Sequence, residues 1–208
     1  IKSSSELLLK NTISKKNKLK LIKNFNKEVD RMNILISDMS NFSRTISEIE
    51  MEKFEILNLN QFLIDFVKNY SGNKKNIKLK FNKFNKNLSV LVNENKLLQV
   101  ILNLVENSVS IANRNTNILI TTNINKNKNI VEIKLYDQGK GIKKQDREKI
   151  FQRFYSDRDK LREEHSGLGL SISREIIKSF NGSIESTKSD KIDFSGACFL
   201  IKLPLRTI

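Results

Sequence analysis

Three short stretches carry residue types whose spacing could do chemistry. On a helix turning about 100° per residue, Asn103, Glu106, Asn107 and Ser110 fall on one side, opposite Leu97, Leu98, Ile101, Leu104, Val105, Ser108, Ile111 and Ala112. Asn is a mediocre helix former, so two of them one turn apart with a carboxylate between suit a ligand better than they suit helix stability. In an Asn-rich chain, two solvated amides would read the same way. The second stretch is Tyr136-Asp137-Gln138-Gly139-Lys140-Gly141-Ile142, after a strand and before a helical segment. Its glycines allow close approach of backbone to a flat ligand, and Asp137 offers a carboxylate acceptor to an exocyclic amine. The third, His165-Ser166-Gly167-Leu168-Gly169-Leu170, opens an amphipathic helix whose unpaired N–H groups and positive end could receive phosphate. Either glycine turn alone could be a plain connection; with the Asn-bearing helix they are hard to read as turns only.

The elements that must position these residues follow from periodicity. Over residues 22–46 the apolar positions Ile22, Phe25, Val29, Met32, Ile36, Met39, Phe42 and Ile46 advance by three or four, keeping one narrow seam on a long helix. Such a seam needs a partner. Residues 1–9 are expected to fold back across the polar stretch 11–18 as a second helix, giving an antiparallel hairpin that pairs into a dimeric four-helix bundle, or packs on its own globular unit. Beyond Glu52 the period changes: Leu59, Phe62, Leu63, Phe66 and Tyr70 are helical, while Ile77, Leu79 and Phe81 alternate as in a strand. Strands are expected at 88–92, 117–124, 130–136, 183–187 and 197–203, and helices at 94–112, near 144–151 and at 168–180. The fold class is α+β: a helical hairpin over 1–54, then an α/β sandwich over 55–208 with one mixed sheet covered by helices.

Composition narrows the setting. The 208 residues allow one domain plus an appendage, and one Cys excludes a disulfide framework or a cysteine-rich zinc site. Lys and Arg number 38 against 23 Asp and Glu, a net charge of +15, but the basic residues occur in helices, strands and loops alike. No direct nucleic-acid binding is expected from a charge so dispersed. No run of eighteen apolar residues exists, and the chain opens on Ile1, so it is expected to be an internal, cytosolic fragment.

The motifs together resemble a family. Asn103-Leu-Val-Glu-Asn107 resembles the N box of the sensor histidine kinases, Asp137-Gln-Gly-Lys-Gly-Ile142 their first glycine box, Ile150-Phe-Gln-Arg-Phe-Tyr their F box, and Gly167-Leu-Gly-Leu their second glycine box. Order and spacing agree. Residues 31–44 resemble the second helix of the family's dimerisation and phosphotransfer hairpin. Arg153-Phe-Tyr-Ser-Asp-Arg158 and His165-Ser-Gly-Leu-Gly-Leu-Ser-Ile-Ser look most like the ChvG-type kinases.

The resemblance implies the GHKL, or Bergerat-type, ATP-binding fold and a site residue by residue. Asn107 would ligate Mg²⁺ and Asn103 would lie by the phosphates. Asp137 would accept the adenine amino group, favouring ATP over GTP, and Gly139, Gly141 and Ile142 would border the base. Gly167, Leu168 and Gly169 would close the phosphate side, and residues 156–166 would be a lid anchored by Phe151 and Phe154, both expected in the core rather than against ATP. The implied activity is transfer of the γ-phosphoryl of Mg·ATP to a hairpin histidine, relayed to an Asp of a response regulator. The implied partners are a second copy through the hairpin and that regulator, with a parent protein anchored in the bacterial inner membrane and this part in the cytoplasm.

Three departures qualify the match. Ser110 stands where the family often has Lys or Arg on the phosphates, a charge that Arg114, Arg153 or Arg158 could replace. His165, the only His, replaces a glycine at the second glycine box and is expected to contact phosphate or the lid, or to stand exposed, rather than accept a phosphoryl group. The family's phosphoacceptor His falls upstream of Ile1, so no catalytic residue of that kind is expected within the chain, which alone would not autophosphorylate. Two alternatives stay open: a degenerate kinase acting as phosphatase or scaffold, and a GHKL-type ATPase, which would need a general-base Glu where Asn103 stands.

Overall fold

The computed structural model describes residues 14–49, 53–71, 77–111, 116–155 and 167–206. Helix α1, Lys15–Ile49, is preceded by Ser14, whose Oγ accepts from Asn17 N (3.4 Å) and whose carbonyl accepts from Lys18 N (3.0 Å). Its apolar stripe is only partly covered: Leu21, Phe25, Val29 and Leu35 are half-buried, whereas Ile22, Met32, Ile36 and Met39 are exposed. The first hairpin helix expected at residues 1–9 lies outside the described residues.

Strand β1, Glu55–Asn58, was not legible in the hydropathy pattern; it is mostly exposed and pairs antiparallel with β3, Ser89–Val92, as a two-stranded sheet. Asn58 then caps α2, Leu59–Ser71, its Oδ1 accepting from Gln61 N at 3.2 Å. Asn93 does the same for α3, Glu94–Ile111, accepting from Lys96 N at 3.0 Å, with Glu94 placed favourably in the first turn. The main sheet has five strands in the order β2-β4-β5-β7-β6: Ile77–Asn82, Thr116–Asn125, Ile130–Tyr136, Ala197–Pro204 and Ser183–Lys188. β2 and β4 run parallel; every other neighbouring pair is antiparallel. The 126–128 turn between β4 and β5 is a short 3₁₀ turn closed by Asn129 at φ 50°.

α2, α3 and α4 (Gly169–Ser179) share one core with the sheet. Leu59, Leu63, Leu97, Ile101, Leu104, Ile118, Ile133, Ile176 and Phe199 are fully or almost fully buried in it. Truncating one of these aliphatic side chains to Ala costs about 2–5 kcal/mol, so α3 is firmly seated. Its buried stripe includes Val100, while Leu98 and Ile111 are only half-buried, a rotation of the expected face by part of a turn. The helix expected near 144–151 is instead two 3₁₀ turns, Lys144–Asp146 and Lys149–Phe151. Only Ile150 and Phe151 are apolar there, too few for an amphipathic stripe. On the sheet's other face Leu119, Tyr136 and Cys198 form a small cluster under Phe194. No described helix is long and apolar enough to cross a membrane.

Candidate functional site

At the end of β5 the chain alternation turns Asp137 toward α3, and its carboxylate is only 2 % exposed. Burial raises its pKa above the usual carboxylate range, and three hydrogen bonds pull it back down. Oδ1 accepts from the backbone N–H of Gly139 (2.9 Å) and Ala197 (2.8 Å), and Oδ2 accepts from the Ser108 hydroxyl (3.1 Å). Oδ1 is thereby filled, whereas Oδ2 keeps a lone pair for one more donor. Around it the backbone is close: a Cβ on Gly196 would lie 2.1 Å from Asp137 Oδ1 and 2.4 Å from Gly139 N. Gly141, at φ 72°, would direct a Cβ at the Gly196 carbonyl, and Ile142 is half-buried against the core.

Earlier on the same helix, Asn103 reaches α4. Its Nδ2 donates to the Gly169 carbonyl (3.1 Å) and to Ser173 Oγ (3.3 Å), and Ser173 Oγ itself donates to that carbonyl (2.8 Å). α4 starts after the buried Leu168 without a side-chain cap, so its first N–H groups are not taken up by a capping side chain. Asn103 and Ser108 are five residues apart, about 7.5 Å along the helix axis. The second half of α3 thus presents a polar joint with a helix amino terminus at Asn103 and, a turn and a half further on, a buried acceptor beside a glycine-lined backbone. This layout suits a ligand with a flat amine-bearing ring and an anionic tail.

The half-buried Asn107 lies one turn beyond Asn103, and its carbonyl accepts the Ser110 hydroxyl at 2.7 Å. Ser110 is therefore bonded back onto its own helix. Among the described residues no cluster of three His, Cys, Asp or Glu side chains could hold a metal ion. A divalent cation here would have to be shared between the neutral amide of Asn107 and oxygens of the ligand, which fits the hydrated, phosphate-bridged habit of Mg²⁺. Glu106 accepts from the Tyr70 hydroxyl of α2 at 3.2 Å.

The F-box aromatics part company. Phe151 is buried, edge-on to Phe199, with the Arg174 guanidinium 4.1 Å above its ring. Phe154, expected in the core, is instead 52 % exposed at φ 61°, because the chain reverses there to meet Gly167. Gly167 has φ 74°, and a Cβ on it would lie 2.8 Å from the Tyr155 carbonyl. Arg153 is exposed; Arg114, Arg158, His165 and the whole 156–166 segment lie outside the described residues. Sequence reasoning missed Ser108, Gly196 and Ala197. Ser108 had a signal, a lone polar residue on an apolar stripe; Gly196 and Ala197 had none, since they reach Asp137 only through β5–β7 pairing.

Residues 92–207 match the family described as histidine kinase-, DNA gyrase B- and HSP90-like ATPase. The sensor protein ChvG of Rhizobium meliloti is 33 % identical over 210 residues, covering 95 % of this chain and 36 % of its own length. The ChvG of Agrobacterium fabrum is 33 % identical over 189 residues, 85 % of this chain and 32 % of that protein. The chain thus spans about a third of the curated relatives it matches. Among solved structures, the nucleotide-free catalytic domain of histidine kinase ThkA superposes with TM-score 0.61 at 27 % identity, over 74 % of this chain and 96 % of that one. Full-length ShkA in complex with AMPPNP gives TM-score 0.66 over 99 % of this chain and 42 % of that one; at 20 % identity it shows the fold alone.

Proposed function

Since the chain belongs to the family of histidine kinase-, DNA gyrase B- and HSP90-like ATPases, we propose that it is the ATP-binding catalytic part of a sensor histidine kinase. In this reading residues 55–208 bind Mg·ATP and residues 1–54 belong to the dimerisation hairpin. The γ-phosphoryl passes to a hairpin histidine upstream of the 208 residues and then to an Asp of a response regulator. The parent protein is a membrane-anchored dimer with this part on the cytoplasmic side.

The observation that carries the proposal is the Asp137 carboxylate, buried, with one oxygen saturated by backbone N–H groups and the other held by Ser108 with one acceptor position left. The 6-amino group of adenine donates to that position, while the carbonyl of guanine or hypoxanthine repels it. Gly139 and Gly141 leave backbone only beside the base. Asn103, its amide spent on Gly169 and Ser173, acts as a positioning residue: it holds the amino terminus of α4 against α3, so that the first N–H groups of α4 face the phosphates. Asn107 is the residue that would hold Mg²⁺, and the cation would supply charge neutralisation for phosphoryl transfer. Hydrolysis in the manner of a GHKL ATPase is disfavoured, because the Asn103 amide cannot accept a proton and Glu106 is tied to Tyr70.

Calorimetric titration with AMPPNP, with and without Mg²⁺ and with GTP as control, tests this reading. Saturable binding of the adenine analogue that is lost in Asp137→Ala is expected. No binding to the unmutated chain would leave a degenerate kinase or scaffold as the better account.

A further inference from the structure

The far face of the sheet is tied to the Asp137 carboxylate by a route that the nucleotide site does not require. Along β5, Val131, Ile133 and Leu135 face the helical core with Asp137, and the alternate residues Lys134, Tyr136 and Gln138 hold a segment on the opposite face. All three grip the same connection, residues 189–196 between β6 and β7. Lys134 Nζ and the Tyr136 hydroxyl donate to separate oxygens of Asp190, both at 2.8 Å. Gln138 Nε2 donates to the Asp193 carbonyl (2.9 Å), while its Oε1 accepts from Asn117 N (2.9 Å) and Nδ2 (3.1 Å). Tyr136 is 1 % exposed and packed with Leu119, Cys198 and Phe194, so its hydroxyl has little freedom.

From these anchors the connection turns over the strand ends. There Gly196 N–H donates to the Asp137 carbonyl at 3.1 Å and Ala197 N–H donates to Asp137 Oδ1 at 2.8 Å. The strap is therefore fastened by residues 134, 136 and 138 on one face and grips residue 137, between them, on the other. The start of β7 is set by ladder pairing and by the strap together, since Asp137 N–H donates to the Ala197 carbonyl at 3.1 Å; if the fastening slackens, the strands stay paired but the Ala197 N–H loses its alignment on Oδ1, and the carboxylate gains a torsional freedom that Gly139 and Ser108 alone do not remove.

We propose that the 189–196 connection is a specificity strap, in which Tyr136, Asp190 and Gln138 are positioning residues that hold the Ala197 N–H on Asp137 and so aim Oδ2 at the 6-amino group of a bound purine. This rests on the reading of Asp137 as the base-recognising group and adds what sets its selectivity. The joint of Asn103 with Gly169 and Ser173 lies about 7.5 Å along α3 from Ser108, away from the strap. A loose strap therefore weakens adenine nucleotides and leaves nucleotides with a 6-carbonyl unchanged.

The test is titration of the whole chain with AMPPNP and with inosine triphosphate, each with Mg²⁺, for the unmutated protein, Asp190→Asn, Tyr136→Phe and Gln138→Leu. Thermal melting is recorded for each, and three variants guard against one that misfolds. The AMPPNP dissociation constant is expected to rise about tenfold, the equivalent of one hydrogen bond to a charged group, with that for inosine triphosphate unmoved. Asp190→Glu, which keeps the carboxylate, should recover part of the preference. An adenine preference that persists in the folded variants, or equal weakening of both nucleotides, overturns the strap alone. No adenine preference in the unmutated chain overturns the base-recognition reading, and the strap with it.

Discussion

Replacing Gly196 by Ala puts the site's geometry to a direct test. The added Cβ would stand 2.1 Å from Asp137 Oδ1, 2.4 Å from Gly139 N and 2.7 Å from the Asp137 carbonyl oxygen. To reach the 3.0 Å below which real Cβ contacts are essentially not found, the turn must withdraw by nearly 1 Å. The 2.8 Å bond from Ala197 N–H then stretches beyond hydrogen-bond range, and the 2.9 Å bond from Gly139 is pushed aside with it. Each is a bond to a buried charge worth about 1.5–3 kcal/mol, so the expected loss for the two is about 3–6 kcal/mol, a large part of the roughly 5–15 kcal/mol that holds a domain together. Urea unfolding measures it as a lower midpoint at unchanged slope. In an Asp137→Ala background the Oδ1 clash disappears while those with Gly139 N and the residue-137 carbonyl remain, so the same substitution should cost less but not nothing. A loss below about 1 kcal/mol, or an equal loss in both backgrounds, would refute the account.

Three further outcomes follow from the same contacts. Ser108→Ala removes the only side-chain donor on Asp137 among the described residues; stability should fall by about 1–3 kcal/mol, and the Asp137 carboxyl, already raised by burial, should titrate higher still in a carbon-detected NMR titration. The Tyr136 phenol is pushed up to about 12, chiefly by burial and then by its bond to Asp190, so near-ultraviolet phenolate absorbance should show a late step that Tyr136→Phe abolishes. Its folded pKa lies above the unfolded one, so its contribution to stability is complete below about 10 and is lost as the pH rises toward 12. Asp190 runs the other way: Lys134 and then Tyr136 hold its carboxyl below the usual range, so its contribution is present above the unfolded pKa and fades as acid carries the pH through the lower folded value. With the Asp190 side chain 55 % exposed, this amounts to less than about 1 kcal/mol, read as a flatter acid limb in Asp190→Asn.

Local patterns were legible in the sequence and distant pairings were not. The strands and helices that carry the N box and the two glycine boxes lie within a residue or two of where alternation and the helical period put them, because half-buried elements must show those periods. β1 escaped notice because it is short and mostly exposed, leaving no alternation to read. Asp137 and the glycines beside it were legible as types at a spacing. Ala197, 60 residues away, joins Asp137 only because Tyr136 pairs with Cys198 in the β5–β7 register. Phe154 misled for a different reason: an aromatic in a motif was expected in the core, but backbone reversal against Gly167 decides its place.

The meeting of Tyr155 with Gly167 also bears on how such a chain can change over time. Tyr155 and Gly167 meet backbone to backbone, so this contact holds two described segments of the chain together without any side chain at residue 167. A Cβ there would lie 2.8 Å from the Tyr155 carbonyl, and φ 74° already disfavours an L side chain at that position. Sequence drift around the meeting point is therefore expected to spare the glycine and to fall on its neighbours.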